Sequence, residues 1–283
     1  MSAKLFPIIC VCFLFAAGAA HSGLAAPDGR KRARIAECMN TPAAQLLLVR
    51  LDRHFRDIGN TPPSWQTLPS ETVQDAENLE DAFVISAYDM IITSDGEYAQ
   101  KLESLGLTRK TVPIFRERIV LAGPPDAESE MDGLPASDAM KIIFDRESLF
   151  FSMLTERRIL DAEGSLWKDA GVDAPSGSRG YVETGRDAVS ALMQAGDEGG
   201  FILVGEASFA QFEDAERGET RLVKLSDTGL YRTTFACLAS NSGFRKERTA
   251  DAERCLEWVG SDEGKNAVSD FSMGGISPFI PAE

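Results

Sequence analysis

The side chains most able to bind a small molecule lie where predicted strands end or predicted helices begin. Hydroxyl and amide groups can hydrogen-bond a ligand there, and arginine guanidinium groups pair with carboxylate, phosphate and other oxyanions. Parallel sheets bind their ligands at the carboxyl ends of strands, so these positions are candidate ligand-binding residues. They are Asn40, Thr41, Thr93, Ser94, Ser152, Thr155, Arg157, Arg158 and Arg232.

These positions also have a simpler structural interpretation. Asn40 and Thr41 are residue types that commonly cap a helix, without any ligand. Thr93 and Ser94 can form a capping turn before the next helix, and Arg157 is of a type that is usually solvated on a helix. The sequence leaves the two interpretations open.

The same survey gives no support for catalysis. His54 lies among Arg50, Arg53 and Arg56 on a predicted helix, and no nucleophile with a paired base is evident. Neither a Gly-x-Ser-x-Gly nor a His-Glu-x-x-His motif occurs. We therefore predict a binding protein that is not an enzyme and has no cofactor and no metal site.

Residues 1–25 have the pattern of a secretory signal peptide. Lys4 precedes an apolar run of about 16 residues, and Gly23-Leu24-Ala25 fits a small-x-small cleavage site. A membrane anchor is the alternative, but the run is shorter than the roughly 20 residues that span a bilayer. We expect export to the periplasm and a chain that does not span the membrane.

The net charge of the whole chain is −15. Nucleic-acid binding relies on clustered lysine and arginine residues, so this charge argues against a nucleic-acid partner. An anionic small ligand stays possible, because a local pocket can oppose the global charge.

Three cysteines follow the predicted signal peptide: Cys38, Cys237 and Cys255. An oxidising compartment permits a disulfide. We predict a bridge between Cys237 and Cys255, which would close a loop of about 18 residues and stabilise the fold by roughly 3 kcal/mol. Cys38 would then be free or buried.

Predicted strands and helices alternate along the chain. Helices are predicted at residues 42–56, 78–87, 97–105, 137–145, 157–170, 187–195, 207–212, 250–259 and 265–271. Strands are predicted at residues 34–39, 88–93, 116–122, 149–152, 200–204, 222–225 and 231–238, and loops at 59–69 and 126–134. This alternation implies a mostly parallel sheet with helices on both faces.

Four collinear segments resemble one known family. They are residues 88–93 with 116–124, residues 150–152 with 163–171, residues 181–185 with 200–203, and residues 256–264 with 270–271. Residues 163–171 (Glu-Gly-Ser-Leu-Trp-Lys-Asp-Ala-Gly) are similar to a family helix that ends in Leu-Trp-Lys-x-Ala-Gly. Residues 256–264 (Leu-Glu-Trp-Val-Gly-Ser-Asp-Glu-Gly) are similar to its closing helices. The chain resembles the tungstate-type substrate-binding proteins of ABC importers.

The resemblance implies an α/β fold of the type II periplasmic-binding-protein kind, with two α/β lobes joined by two crossover strands. Lobe 1 would comprise residues 30–121 and 235–283, and lobe 2 residues 122–234. The ligand would be a small solute, an oxyanion such as tungstate or molybdate or another small anion, bound in the cleft between the lobes. The chain would act as a monomer and deliver its ligand to ABC permease subunits.

The loops that would bind the ligand depart from the family. Residues 37–42 (Glu-Cys-Met-Asn-Thr-Pro) replace a run of threonine and serine, and residues 152–155 (Ser-Met-Leu-Thr) replace Ser-Arg-Gly-Asp. Met153 thus stands where the family has an arginine, and Arg157 and Arg158 are the nearest substitutes. This departure motivates an alternative function, a degenerate binding-protein scaffold that acts as a periplasmic interaction or sensor-accessory protein.

Overall fold

The computed structural model describes residues 32–39, 42–68, 88–173, 176–211, 220–226, 230–240 and 246–283. The predicted signal peptide, the predicted helix at residues 78–87, and the candidate residues Asn40 and Thr41 lie outside these ranges. None of the described helices is long and apolar enough to cross a membrane.

Strands and helices alternate, as the sequence predicts. The strands are β1 (Arg34–Cys38), β2 (Ser64–Thr67), β3 (Met90–Thr93), β4 (Thr108–Gly123), β5 (Phe150–Met153), β6 (Tyr181–Thr184), β7 (Phe201–Gly205), β8 (Arg221–Val223), β9 (Tyr231–Ala239) and β10 (Phe279–Pro281). The helices are α1 (Pro42–Asp57), α2 (Gly96–Ser104), α3 (Pro125–Met131), α4 (Ala136–Asp145), α5 (Arg157–Asp169), α6 (Ala188–Glu198), α7 (Glu206–Ala210), α8 (Lys246–Val259) and α9 (Asp262–Ser269).

The strands lie in the order β2-β1-β3-β9-β4-β7-β5-β6, and β8 and β10 also pair with β4. Strands β1, β2 and β3 are mutually parallel, and β5 is parallel to β6 and β7. Strand β9 runs antiparallel to β3 and β4. We call β1, β2, β3, β9 and β10 with the first part of β4 the first sheet. The end of β4 with β5, β6, β7 and β8 is the second sheet.

Strand β4 connects the two sheets. Its residues up to Arg118 pair with β9, and from Ile119 onward it pairs with β7. The change of partner occurs between adjacent residues. The polypeptide therefore crosses from one sheet to the other without leaving the extended conformation.

Three buried apolar clusters hold the helices against the sheets. In the second sheet, the ring centroids of Phe150 and Trp167 are 5.1 Å apart. On one face of the first sheet, Phe55 of α1 packs on Trp258 of α8 with centroids 5.5 Å apart. The other face packs against α2 through Tyr98. Because the first sheet is covered on both faces, β3 is apolar almost throughout.

The sequence interpretation was wrong at several boundaries. Residues 59–69, predicted as a loop, contain β2, which follows the prolines at the edge of the sheet, where proline is tolerated. Residues 126–134, also predicted as a loop, contain α3, which begins at Pro125, a favoured residue at the first helical position. Strand β4 begins eight residues before the predicted position 116, at Thr108.

The predicted disulfide between Cys237 and Cys255 is wrong, because all three cysteines of the described residues are free and buried. Cys255 packs in the cluster beneath α1 and α8, whereas Cys237 packs with Cys38 and Tyr98 on the opposite face of the first sheet. The sheet itself separates the two thiols. Cys38 on β1 and Cys237 on β9 share a face, but β3 lies between their strands. Two strand spacings of about 4.8 Å exceed the reach of a disulfide of about 7 Å.

Candidate ligand-binding site

The candidate site lies where the carboxyl ends of β3 and β5 face each other. Asp95 follows β3, and Arg158 is in the first turn of α5, which follows β5. Arg158 Nη2 lies 3.1 Å from Asp95 Oδ1 and donates a hydrogen bond to it. This ion pair joins a loop of the first sheet to a helix of the second, so these two edges lie close together; we call the region where they meet the cleft.

Thr93 and Ser94 lie on the first-sheet side of this cleft. Thr93 is buried, and its Oγ1 accepts a hydrogen bond of 3.1 Å from the backbone N–H of Asp95. Asp95 in turn caps α2, since its Oδ1 accepts from the backbone N–H groups of Glu97 and Tyr98 at 2.9 and 3.0 Å. The hydroxyl of Thr93 therefore fixes the turn that presents Asp95, and Ser94 is half-buried in that turn.

Thr155 and Arg186 tie together two loops at the edge of the second sheet. Strands β5 and β6 end side by side, with Met153 paired to Thr184. The Thr155 hydroxyl donates to the Arg186 carbonyl at 2.8 Å, and the Arg186 N–H donates to Thr184 Oγ1 at 3.2 Å. Both Thr155 and Arg186 have exposed side chains.

Three arginines thus stand at this edge. Arg157 and Arg158 begin α5, and Arg186 follows β6. Arg157 and Arg186 are exposed, while Arg158 is half-buried against Asp95. Carboxylates accompany them, since Asp95 pairs with Arg158 and the exposed Asp187 follows Arg186 directly.

Arg232 has a different setting, inside the protein. Its Nη1 is 2.8 Å from Glu156 Oε2, and its Nε is 3.1 Å from Glu117 Oε2, to which Nη2 also donates. Glu117 additionally accepts from the backbone N–H of Ala207 at 3.0 Å. Burial opposes the charged guanidinium, but the two carboxylates outweigh it and raise the pKa of Arg232 above its ordinary value. Its charge is matched within the protein.

Ser152 lies on β5 next to side chains of α5 and β6. It is fully buried on β5, and its side chain lies beside Glu163 and Tyr181. Glu163 Oε1 accepts from the Tyr181 hydroxyl at 2.5 Å and from Trp167 Nε1 at 3.2 Å. Burial raises the pKa of Glu163, although these hydrogen bonds partly oppose the shift. Ser152 therefore belongs to a polar cluster within the helix layer of the second sheet.

A buried carboxylate occupies the end of β1. Glu37 Oε2 accepts from the backbone N–H of Met39, and Oε1 accepts from Gln45 Nε2, both at 3.0 Å. Burial raises the pKa of Glu37, and hydrogen bonds from Thr67, Met39 and Gln45 partly offset this. The chain thus holds a buried acidic group at the end of β1.

The sequence interpretation missed Asp95, Glu117 and Glu156, which are the carboxylate partners of the arginines. In the sequence, Asp95 indicates only a turn after the predicted strand at residues 88–93. Glu117 carried a usable signal, because it interrupts the predicted strand at 116–122 with a charge. An acidic chain offers many carboxylates, however, and their partners lie 63 to 115 positions away.

Comparison with known proteins gives a consistent result. No family model matches the chain. The tungstate-binding protein TupA of Campylobacter jejuni is 22% identical over 163 residues, which are 57% of this chain and 60% of that protein. The match therefore spans about three fifths of the curated relative.

Two solved structures resemble the whole described architecture. The tungstate-binding protein TupA from Desulfovibrio alaskensis G20 has a TM-score of 0.72 at 17% identity, covering 88% of this chain and 98% of that one. The tungstate ABC transporter structure from Geobacter sulfurreducens has a TM-score of 0.64 at 19% identity, covering 85% and 98%. These likenesses confirm the predicted fold class, a type II periplasmic-binding-protein fold with two α/β lobes joined by crossover strands.

Proposed function

We propose that this chain is a periplasmic solute-binding protein of an ABC importer, and that it binds a small oxyanion such as tungstate or molybdate in the cleft between its lobes. Its curated relative and both structural relatives above carry tungstate in their names. The chemistry of the cleft supports the same class of ligand.

The observation that carries the proposal is the ion pair between Arg158 and Asp95. A carboxylate is an oxyanion, and Arg158 already donates to one at 3.1 Å across the cleft. The guanidinium is therefore placed to bind an anion between the lobes. Arg158 follows Met153, the residue that replaces the family's arginine, by five positions, and we propose that it supplies the positive charge which that replacement removes.

Other groups at the same edge add to this binding capacity. Arg157 and Arg186 are exposed near the start of α5, and Thr155 offers a hydroxyl beside them. Arginine forks recognise oxyanions through paired hydrogen bonds. We assign Thr93, Ser94, Thr155, Arg157, Arg158 and Arg186 to the ligand-binding edge. Asn40 and Thr41 are retained as proposed ligand groups on the basis of their position before α1.

Arg232 and Ser152 take supporting roles in this proposal. Arg232 is matched by Glu117 and Glu156 and so fixes the crossover region rather than the ligand. Ser152 lies against α5.

We propose that residues 30–121 and 235–283 form lobe 1 and residues 122–234 form lobe 2, because β4 changes its partner strand near their boundary. We also propose export through the signal peptide, a monomeric state, and docking onto ABC permease subunits.

Ligand-induced stabilisation tests the proposal directly. The purified protein is heated in phosphate-free buffer with tungstate, molybdate, sulfate, phosphate, carboxylates or neutral solutes. A ligand at 100 times its dissociation constant stabilises the folded state by about 2.7 kcal/mol. For a chain of this size, that corresponds to a rise in the unfolding midpoint of roughly 5–10 °C.

The variant Arg158→Ala tests whether the cleft is the site. Loss of a hydrogen bond to a charged group costs about 1.5–3 kcal/mol, so tungstate should bind about ten- to a hundredfold more weakly. Arg179→Ala is the matched control, since Arg179 is an exposed arginine that pairs with Glu147. Equal affinities in both variants would place the ligand elsewhere. No stabilisation by any oxyanion would favour the degenerate-scaffold alternative.

A further inference from the structure

The ion pair between Asp95 and Arg158 places an anion of the protein where the proposed ligand would bind. The side chains of both residues are 33% exposed, so the pair is neither sealed in the interior nor free in solvent. Ion pairs with this degree of exposure are weak enough to exchange partners. A small anion that enters the cleft can therefore take the place of the carboxylate.

We propose that Asp95 is a built-in competitor for Arg158 and is the residue that decides how tightly the cleft holds an anion. The inference rests on the proposed function. An oxyanion must displace the Asp95 carboxylate from Arg158, and it must also tolerate a negative charge that stays nearby. The apparent affinity then falls in proportion to the fraction of molecules in which Arg158 is not paired with Asp95 and is free to bind the ligand.

Gly96 provides a second observation that fixes Arg158 in this position. A Cβ atom placed on Gly96 would lie 3.3 Å from Arg158 Nη2 and 3.3 Å from the ring of Phe235. A side chain at position 96 would require the guanidinium or the Phe235 ring to shift by a few tenths of an ångström. The sequence thus combines a carboxylate at position 95 with a glycine at position 96, and together they seat Arg158 against the first sheet.

The variant Asp95→Asn isolates the competition. Asparagine keeps a side-chain oxygen that can accept from Glu97 and Tyr98, and it caps helices as well as aspartate does, so α2 keeps its cap. The charge that binds Arg158 is removed. We expect tungstate to bind about three- to tenfold more tightly, as follows from removing an exposed competing pair and a nearby like charge.

Isothermal titration with sodium tungstate measures this change. Asp145→Asn is the control, because Asp145 is an exposed carboxylate that pairs with Lys141 and is not part of the ligand-binding edge, and we expect its affinity to equal that of the unmodified protein. In the Arg158→Ala background, Asp95→Asn should give a much smaller gain. Partial unfolding would weaken binding, so it cannot explain a gain in affinity. The midpoint of thermal unfolding of each variant, compared with that of the unmodified protein, shows whether the variant is folded.

The outcomes separate the inference from the function on which it rests. If the unmodified protein binds tungstate and Asp95→Asn binds it equally or more weakly, the competitor role is overturned and the proposed function stands. Tungstate binding by Asp95→Asn alone would support the competitor role in its strongest form. If neither protein binds tungstate or molybdate at millimolar concentration, both proposals fail.

Discussion

Glu117 and Arg232 face each other directly across the antiparallel pair of β4 and β9, and their side chains form an ion pair that solvent barely reaches. Glu156, from the loop after β5, completes a cluster of two carboxylates around one guanidinium. The cluster lies close to the point where β4 passes from the first sheet to the second. Its charges therefore link the crossover strands to the loop that precedes α5.

The variant Glu117→Gln should be strongly destabilised. Glu156 still balances the charge of Arg232 in this variant, but the hydrogen bonds that Glu117 accepts from the guanidinium are weakened, and we expect the free energy of unfolding to fall by about 1.5–3 kcal/mol. Chemical denaturation measures this quantity. Asp145→Asn is the control, since Asp145 forms an exposed pair with Lys141 and its loss should cost less than about 0.5 kcal/mol. Similar costs for both variants would contradict the buried pair.

Gly205→Ala tests the space around the same cluster. A Cβ atom on Gly205 would collide with the carboxylate of Glu117 and lie 3.2 Å from Arg232 Nη2. We expect a loss of about 1–3 kcal/mol in the free energy of unfolding, as for other overpacked sites. Gly164→Ala in α5 meets nothing within 4 Å and should stabilise the protein by about 0.5–1 kcal/mol. Two variants that change stability equally would show that the space at Gly205 is not restricted.

Glu163 should contribute a measurable pH dependence. Burial raises its pKa above the ordinary value, so the folded protein holds this proton to higher pH than the unfolded chain does. The contribution of Glu163 to the free energy of unfolding is complete at pH values below the pKa that Glu163 has in the unfolded chain. It is lost as the pH rises through the higher pKa that Glu163 has in the folded protein. Gln at position 163 cannot titrate, so Glu163→Gln should lose less stability between about pH 4.5 and pH 7. Denaturation at several pH values measures this, with the exposed Glu147→Gln as the control. An identical slope in Glu163→Gln and the unmodified protein would refute the prediction.

The three cysteines should remain as unreactive thiols. Burial raises the pKa of Cys38 and of Cys255 to about 12, and that of Cys237 to about 11. Alkylation of the folded protein at pH 8 should be slow, because the thiolate is the reactive form. After denaturation without reductant, mass spectrometry should find each of the three alkylated. A peptide in which Cys237 is linked to Cys255 would contradict the arrangement on opposite sheet faces.

Local pattern was enough to predict an α/β sheet and most of the elements, whereas the two-lobed fold class was predicted from the resemblance to a known family. Helix α1 and strand β3 follow directly from apolar periodicity and from a continuous apolar run. Strand β2 was not predictable in this way, because it is short, follows two prolines and depends on β1 for its hydrogen bonds. Strand β10 depends in the same way on β4.

The candidate site was predicted less completely than the fold. A strand end predicts where a ligand can bind, and the assignment of Thr93, Ser94, Thr155 and Arg158 to the ligand stays a prediction. The sequence could not show which way a side chain points in the four-residue strand β5, whose residues are all buried, so Ser152 was assigned to the ligand. Nor could it show that Arg232 meets Glu117, since that contact depends on the register of two strands far apart in sequence.

The pairing of β10 with β4 has a consequence for the order in which the molecule can be completed. Phe279 is fully buried and packs edge-on against Phe115, and the Ser277 carbonyl accepts a hydrogen bond from Arg118, which lies 159 positions earlier. The middle of the chain can assemble the second sheet as soon as it is synthesised. The first sheet is complete only when residues 279–281 have paired with β4. Because contacts between segments far apart in sequence form slowly, we expect the first sheet to be completed after the second.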